Sequence, residues 1–471
     1  MLPHPMSHPG ALMRNDPQGS AAPAAGGPSP APVAGADREG SRSKRVRRIV
    51  VVSLLTGLVL AGVLALGLLG GAREHVVTGS ALLAFAVGWA MLAVWSIRRS
   101  DQPQRWAFVP AAAMAVAGTG LLLLAPDDRA LTAAGWVWPP VLLALAVWIA
   151  LRARRSLSAG SGRWAVYAVV VIMIAASLGG MAETVALASD PRTQAMPGDV
   201  YDVGGRRLHL DCTGSGSPTV VLQSGQGEMS SSWGLIAPAV AATTRVCAYD
   251  RAGQGWSEDA PQLQDGLAAA ADLHALLAQA GEHGPYVLVG HSIGGAYAMT
   301  YAARYPDDVA GMVELDSSDP YQATVAPGAA DSDAPPPFGA LASLSRLGIW
   351  QLVPAGGSEL PEPSAGSADA FATSPRGLRN FRDDFATMPA LFTDAQALTT
   401  FDSKPLVVLT AASGPEAAHD RMAGLSTNGS HRHTDETHAG LLDTETGAEV
   451  SVRAIDDVVQ AVRTATPLPQ E

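Results

Sequence analysis

A serine between glycines carries the clearest chemical signature in this chain. Ser292 lies in the segment GHSIGG, with Gly290 two residues before it and Gly294 two residues after it. An apolar run, YVLVG, precedes the serine, and a run with helical spacing follows it, so the serine falls on a turn between a buried strand and a helix. In this context the G-x-S-x-G pattern predicts a strained nucleophile elbow that exposes the serine hydroxyl. The glycines are expected because neighbouring backbone must pass close to the turn.

The elements that would position this serine alternate between short apolar runs and helical stretches. Several apolar runs are almost continuous in Val and Leu, which is typical of strands buried on both faces of a sheet. Strands are predicted near 206–212, 218–223, 245–249, 286–291, 309–315 and 405–410. Helices are predicted between them at 232–243, 265–281 and 293–305. This alternation predicts an α/β fold with a mostly parallel sheet.

The C-terminal part of the chain resembles the α/β-hydrolase fold superfamily, in particular its esterase, peptidase and haloperoxidase-like branch. Four segments carry the resemblance, in the order usual for the superfamily: VVLQSGQG from residue 220, RVCAYDRAGQGWSE from 245, YVLVGHSIGGAYAMTYAARYP from 286 and VAGMVELDSSDP from 309. The resemblance implies a domain over about residues 198–465 with an eight-stranded, mostly parallel sheet. It also implies an inserted cap at about 317–404.

The resemblance implies a role for several residues of this domain. Ser292 is the expected nucleophile, activated by a neighbouring imidazole. The base comes late in the chain in this superfamily, and His438, in the segment TDETHAGLL, has that place. The backbone N–H groups of Ile293 and Gln226 are expected to form the oxyanion hole. Ser224 stands where such enzymes often have a histidine, which departs from the usual loop sequence.

The acid that orients the base has two candidates. Relatives place this acid after the sixth or the seventh strand of the sheet. Asp316 ends the segment VAGMVELD and fits the first placement, whereas Glu416 follows the strand near 405–410 and fits the second. Asp316 is favoured because no Asp follows the later strand directly. Its alternative role is that of a helix N-cap.

Cys212 and Cys247 are the two cysteines of the chain. In the sheet order that the resemblance implies, their strands are neighbours. Two states stay open for this pair: a disulfide, which an environment outside the cytoplasm would allow, and a pair of buried thiols in the core. The sequence has no glycine-rich phosphate loop and no cluster with metal-ligand spacing, so neither a metal nor a cofactor is expected.

The N-terminal part of the chain has a different composition. Charged residues make up 16% of the whole chain, against about 25% in ordinary soluble domains. Residues 1–47 form a basic tail rich in Pro, Ala and Gly and are predicted to be disordered. Within residues 48–190, five apolar runs are long enough to cross a membrane as helices. They lie at about 49–72, 76–97, 106–125, 131–151 and 164–188.

The charges between these runs predict an orientation. The tail and the four connecting loops contain seven, one, three, one and four Lys or Arg residues, in chain order. Because cytoplasmic loops collect Lys and Arg, the N-terminus is expected in the cytoplasm. Five crossings would then place the C-terminal domain on the outer face of the cell membrane. That domain is acidic: residues 198–471 have a formal charge of −20, against +8 for residues 1–197.

These observations predict a multi-pass membrane protein whose outer domain is a serine hydrolase acting on an ester or amide. The expected partners are the lipid bilayer and a small-molecule or lipid-like acyl substrate. The net charge of −12 argues against nucleic acid as a partner. Two alternatives stay open, namely an acyltransferase acting on cell-envelope acceptors and a non-catalytic binding or sensor module on the same fold.

Overall fold

The described N-terminal residues form six α-helices. A computed structural model of the chain describes residues 34–158, 160–189, 196–321, 338–352 and 358–469. The helices are α1 Ala34–Gly62, α2 Glu74–Arg99, α3 Phe108–Leu124, α4 Asp128–Ala134, α5 Trp138–Ser156 and α6 Arg163–Ala188. A π-helical segment, Val63–Leu68, continues α1.

Four helical segments are long and apolar enough to cross a membrane. They are Ser41–Leu68, Glu74–Arg99, Arg105–Leu124 and Arg163–Ala188. Helices α4 and α5 pass the same test together but are bent by 45°. The break precedes Pro139 and Pro140, and proline rings fit the first turn of a helix but not its continuation. The described residues therefore have four candidate spans, or five if the bent pair is one span, where the sequence predicts five.

The first helix begins earlier than the sequence predicts. Helix α1 starts at Ala34, whereas the tail is predicted to be disordered up to residue 47. Residues 34–47 are helical in the structure, which departs from that prediction. Because a helix nucleated in an apolar run extends readily into adjacent residues of good helix propensity, the Arg, Lys and Glu residues here can continue it. The rest of the predicted tail, residues 1–33, lies outside the described residues.

An eight-stranded sheet forms the centre of the C-terminal part. Its strands are β1 Asp199–Val203, β2 Arg206–Thr213, β3 Thr219–Gln223, β4 Val246–Tyr249, β5 Tyr286–His291, β6 Val309–Leu315, β7 Leu406–Thr410 and β8 Gly429–His433. They are ordered β1-β2-β4-β3-β5-β6-β7-β8. Strand β2 runs antiparallel to β1 and β4, and all other neighbours are parallel. The predicted mostly parallel sheet is confirmed.

Helices cover both faces of this sheet. The helices of the C-terminal part are α7 Ile236–Ala241, α8 Gly266–Gln279, α9 Ile293–Arg304, α10 Gly339–Ser345, α11 Ser364–Thr373, α12 Pro375–Ala395, α13 Glu416–Ala423, α14 Gly440–Asp443 and α15 Glu445–Thr464. Helices α8, α9 and α12 enclose one apolar core, and α7, α14 and α15 enclose another on the opposite face. Burial on both faces explains why the central residues of β3, β5 and β7 are almost all Val and Leu.

The helices between β6 and β7 form the inserted segment that the sequence predicts as a cap. Its described helices are α10, α11 and α12, and residues 322–337 and 353–357 of the predicted cap lie outside the described residues. Gly339 N–H donates to the carbonyl oxygen of Gly70, at the end of the first candidate span, at 2.7 Å. Arg346 forms ion pairs with Glu74 and, at 2.8 Å, with Asp128. The cap is therefore bound to the N-terminal ends of α2 and α4.

The cap also covers an acid near the end of the last candidate span. Glu183 in α6 is 3% exposed. Its carboxylate accepts a hydrogen bond from the side-chain amide of Gln351 at 3.0 Å and one from the hydroxyl of Ser345 at 3.4 Å. Since a buried carboxylate is costly without partners, these cap residues stabilise Glu183. The cap thus contacts the ends of three helices of the N-terminal part.

A disulfide joins Cys212 and Cys247, as the neighbouring strands would allow. The two residues are register partners on the antiparallel strands β2 and β4, with their Cα atoms 4.1 Å apart. Their sulfur atoms are therefore not free to bind a metal ion. The bridge joins the second and third strands of the sheet, and it closes a loop with a sequence separation of 35 residues.

Removal of this disulfide is expected to destabilise the C-terminal domain. For a closed loop of this length, chain entropy predicts a loss of about 2–4 kcal/mol in the free energy of unfolding. Thermal unfolding of the purified protein with and without reductant, compared with a Cys212→Ser, Cys247→Ser double variant, measures the effect. Reductant should lower the midpoint of the wild type and leave that of the double variant unchanged. Equal midpoints for the oxidised wild type and the double variant would contradict the expectation.

Candidate active site

Ser292 lies on the turn between β5 and α9. Its backbone angles are φ 56° and ψ −126°, a region that is strained for a residue with a side chain. A Cβ atom on Gly290 would come within 2.5 Å of the Cα of Gly295, and one on Gly294 would collide with the carbonyl oxygen of Gln223. Both glycines are therefore required by close backbone contacts. The structure thus has the strained elbow that the sequence predicts at this serine.

Asp316 and His438 lie in contact. Oδ2 of Asp316 is 2.6 Å from Nδ1 of His438, and Oδ1 accepts a hydrogen bond from the backbone N–H of Ala411 at 3.0 Å. Burial by itself raises the pKa of Asp316, but the hydrogen bonds from His438 and Ala411 outweigh it and hold the pKa below its usual value. Asp316 is therefore ionised at neutral pH and fixes a proton on Nδ1 of His438. Nε2 of His438 is then the nitrogen able to accept a proton.

The other candidate acid lies elsewhere. Glu416 is exposed at the start of α13, and its backbone N–H donates to the carbonyl oxygen of Gly414 at 3.1 Å. Of the two acids considered from the sequence, Asp316 is the one that contacts His438. Asp316 does not cap a helix within the described segment that follows it. Residues 317–321 contain no helix.

The loop after β3 passes directly beside the elbow. A Cβ atom on Gly225 would lie 3.0 Å from the Cβ of Ser292. Arg251 donates to the carbonyl oxygens of Ser224, at 2.7 Å, and of Gly225, at 3.4 Å. Because N–H and C=O point in opposite directions across a trans peptide, the N–H of Gln226 is turned away from Arg251. This loop is called the oxyanion loop below, residues 224–227.

The two predicted oxyanion donors lie at the two sides of the elbow. Ile293 is the first residue of α9, and the first N–H groups of a helix have no partner within the helix. The N-terminal end of a helix also favours negative charge. On the other side, the side chain of Gln226 donates to the carbonyl oxygen of Phe381 in α12 at 3.0 Å. The cap therefore holds the loop that carries Gln226, the second predicted oxyanion donor.

Sequence reasoning missed several buried polar groups around this site. Arg251 is 5% exposed, its guanidinium lies 4.2 Å from the ring of Tyr297, and it is 3.7 Å from Asp384 of α12. Burial raises the pKa of Asp384 to about 6, although the charge of Arg251 opposes the rise. His419 contacts the carbonyl oxygen of Ser317 at 2.8 Å. The spacing of these residues in the sequence does not predict their contacts, because each contact joins positions that are distant in the chain.

Asp250, directly after β4, fixes the loop that follows it. Its Oδ1 accepts from the backbone N–H of Ser230 at 2.8 Å and its Oδ2 from that of Trp256 at 3.0 Å. Nδ1 of His209 is 2.9 Å from the same Oδ2. Burial opposes ionisation, but these hydrogen bonds hold the pKa of Asp250 below its usual value.

Comparisons with known proteins agree with this geometry. Residues 218–336 match the family model described as the alpha/beta hydrolase fold. An uncharacterized protein of Schizosaccharomyces pombe is 36% identical over 152 residues, which cover 26% of this chain and 28% of that protein. The 2-hydroxymuconate semialdehyde hydrolase of Pseudomonas sp. (strain CF600) is 33% identical over 116 residues, covering 24% of this chain and 41% of that enzyme. The chain thus spans less than half of the length of these two relatives.

A solved structure is also similar to part of this chain. The crystal structure of DbjA is 18% identical in sequence, covers 57% of this chain and 98% of its own, and has a TM-score of 0.46. The strand order of the sheet and the family match over the segment that includes Ser292 and Asp316 are the stronger observations. The C-terminal part of this chain, residues 199–464, therefore has the α/β-hydrolase fold, and it follows a helical region with four to five candidate membrane spans.

Proposed function

We propose that this chain is a membrane-anchored serine hydrolase that cleaves an ester or amide bond through an acyl-enzyme intermediate. One observation carries the proposal: the strained Ser292 lies on a turn beside the oxyanion loop, and an ionised Asp316 holds the ring of His438, 4.5 Å from the ring of His291, the residue before Ser292. A nucleophile, a base and an orienting acid at one edge of the sheet are the arrangement that nucleophilic acyl transfer needs.

The chemistry follows from these positions. The hydroxyl oxygen of Ser292 attacks the substrate carbonyl carbon while Nε2 of His438 accepts its proton. The carbonyl oxygen becomes an oxyanion, which the N–H groups of Ile293 and Gln226 stabilise. The bond to the leaving group then breaks, and that alcohol or amine takes the proton from His438. Water repeats these steps on the acyl-serine ester and releases a carboxylic acid, which restores the serine hydroxyl.

The position of the cap supports placing the active site at the outer face of the membrane. The cap contacts the N-terminal ends of α2 and α4 and lies next to the C-terminal end of α6. The opposite ends of these helical segments carry the clustered arginines, including Arg98, Arg99, Arg154, Arg155 and Arg163. Since basic residues accumulate on the cytoplasmic side, the C-terminal domain belongs on the outer side.

The same contacts support a lipid-like acyl substrate. The cap segment that meets the helix ends exposes Leu344, Ile349 and Leu352, the last to 84%. These residues lie where a bilayer surface would be if the candidate spans cross a membrane. Apolar side chains on a cap at that level favour a substrate that partitions into the bilayer.

Turnover of a panel of chromogenic esters by the purified full-length protein tests the proposed function. Acyl chains from acetate to palmitate should show hydrolysis of at least one ester, and a fluorophosphonate should inhibit it irreversibly. Added alcohols or amines would form new esters or amides if the protein were an acyltransferase. Absence of turnover together with retained binding of an ester would contradict the proposal and indicate a non-catalytic module.

A further inference from the structure

A second carboxylate–imidazole pair lies directly beside the proposed base. Oε1 of Glu228 is 2.6 Å from Nδ1 of His291, and His291 is 1% exposed. Nε2 of His291 is 2.9 Å from the backbone carbonyl oxygen of His438, and the two imidazole rings are 4.5 Å apart. The other oxygen of Glu228, Oε2, accepts a hydrogen bond from the backbone N–H of Gly225 at 2.5 Å. The pair thus connects the oxyanion loop, the elbow and the segment that carries the proposed base.

The surroundings of His291 determine where its protons are. Its Nε2 must carry a proton, because a carbonyl oxygen can only accept a hydrogen bond. The negative carboxylate of Glu228, 2.6 Å from Nδ1, favours a proton on that nitrogen as well, because it would repel the lone pair of a neutral ring. Nε2 therefore donates to a carbonyl oxygen and Nδ1 lies against a negative charge, and the charged imidazolium is the form that both surroundings favour.

The charges of the pair stabilise each other. Burial lowers the pKa of His291, but the charge and hydrogen bond of Glu228 outweigh burial and raise it above the usual 6.5. Burial likewise raises the pKa of Glu228, but His291 and the N–H of Gly225 outweigh it and lower the pKa. The ion pair therefore forms at neutral pH.

We propose that Glu228 and His291 are positioning residues, which together hold the oxyanion loop and the proposed base in a fixed arrangement around Ser292. Glu228 fixes the peptide N–H of Gly225, the residue before the predicted donor Gln226. His291 fixes the carbonyl oxygen of His438 and precedes the nucleophile in the chain. Displacement of catalytic groups by about 1 Å can reduce a rate about 100-fold. This inference rests on the proposed function.

The inference predicts a pH dependence with a definite sign. The neighbouring charged and titratable groups are His438, Asp316, Asp443 and Arg251. Since the pKa of His291 is raised, the ion pair exists below that pKa and is lost as the pH rises through it. Loss of the positive charge leaves the lone pair of Nδ1 of His291 facing the Glu228 carboxylate at 2.6 Å, and the two groups then repel each other. The rate of reaction at Ser292 should therefore decline on the alkaline side, at a pH above the usual imidazole range.

The test is the second-order rate of labelling by a fluorophosphonate as a function of pH, on the full-length protein. Glu228→Gln should lower the plateau rate about 10- to 100-fold and move the alkaline decline to lower pH. The amide can still accept from Gly225 but has no charge to raise the pKa of His291. His291→Asn should lower the rate and abolish the decline, because asparagine does not titrate in this range.

A second buried pair in the same domain serves as the matched control. His209 also lies between a carboxylate, that of Asp250 at 2.9 Å, and a backbone carbonyl, that of Pro197 at 2.6 Å. Neither of these two contacts connects His209 to His438 or to the oxyanion loop. His209→Asn should therefore leave the pH of the decline unchanged, whatever it does to stability. Thermal unfolding of each variant checks that it is folded.

The outcomes separate this inference from the proposed function. A wild type that is labelled, with Glu228→Gln and His291→Asn profiles parallel to its own, would overturn the positioning role alone. An equal shift of the decline in His209→Asn would also overturn it. A wild type that is not labelled at any pH would overturn the proposed function, and this inference with it.

Discussion

Replacing Ser292 by alanine is expected to lower the turnover of an ester by a factor on the order of 10⁴ to 10⁶. A methyl group cannot attack a carbonyl, so only substrate binding and oxyanion stabilisation remain. The fold should persist because alanine removes one oxygen atom and leaves the glycines of the elbow in place. Initial rates of ester hydrolysis, together with the thermal midpoint of each protein, measure the effect.

Ser413→Ala is the matched control for this substitution. Ser413 is exposed in the loop after β7, near the strand end that supports Asp316. Its replacement should leave the rate within about twofold of the wild type, as is usual for exposed positions. A folded Ser292→Ala variant with more than about a tenth of the wild-type rate would exclude Ser292 as the nucleophile, given the size of the loss that removal of a catalytic serine causes.

Asp316→Asn is expected to lower kcat by about 10⁴-fold. The amide preserves the shape of the carboxylate but not its charge, so it no longer stabilises the imidazolium that forms during attack. It also favours the wrong tautomer of His438, in which Nδ1 accepts and Nε2 carries the proton. The substrate KM should change much less than kcat, because Asp316 is 8% exposed behind the base. Steady-state kinetics on the best ester of the panel distinguish the two parameters.

Glu416→Gln discriminates between the two acids that the sequence allows. Glu416 is exposed and has no contact with His438 among the described hydrogen bonds, so its replacement should change kcat by no more than about twofold. A large loss in Glu416→Gln with near-normal activity in Asp316→Asn would assign the acid to Glu416. That result would require the segment that carries His438 to rearrange before catalysis.

Local signals explain how much of the fold could be predicted. The elbow is specified within six residues, because a strand, a strained serine and two glycines must follow each other directly. The buried strands β3, β5 and β7 are short apolar runs, and their parallel arrangement follows from the helices between them. The candidate spans were predictable for a similar reason, since each is a continuous apolar run of about the length a bilayer requires.

Contacts between distant segments explain what could not be predicted. Glu228 lies in an ordinary loop, and nothing in its spacing relates it to His291, 63 positions later in the sequence. Arg346 contacts Glu74 and Asp128 across two parts of the chain that the sequence treats as separate units. Such pairs form because the fold buries polar groups that then need partners. They have no periodicity of their own in a single sequence.

The structure places some of the predicted site residues in direct contact and others next to each other. Asp316 and His438 are in direct contact, although 122 positions separate them. The oxyanion loop lies against Ser292, and the cap holds Gln226 through Phe381. The parallel sheet accounts for this convergence, because the carboxyl ends of its strands meet at one edge. Their catalytic roles stay predictions until activity is measured.

The central claim is an outward-facing serine hydrolase with Ser292 as nucleophile. It is tested most directly by treating intact cells with a membrane-impermeant fluorophosphonate and locating the adduct by mass spectrometry of the digested protein. The account predicts an adduct on the oxygen of Ser292, formed without lysis of the cells. An adduct on another residue, or labelling of Ser292 only after lysis, would contradict it.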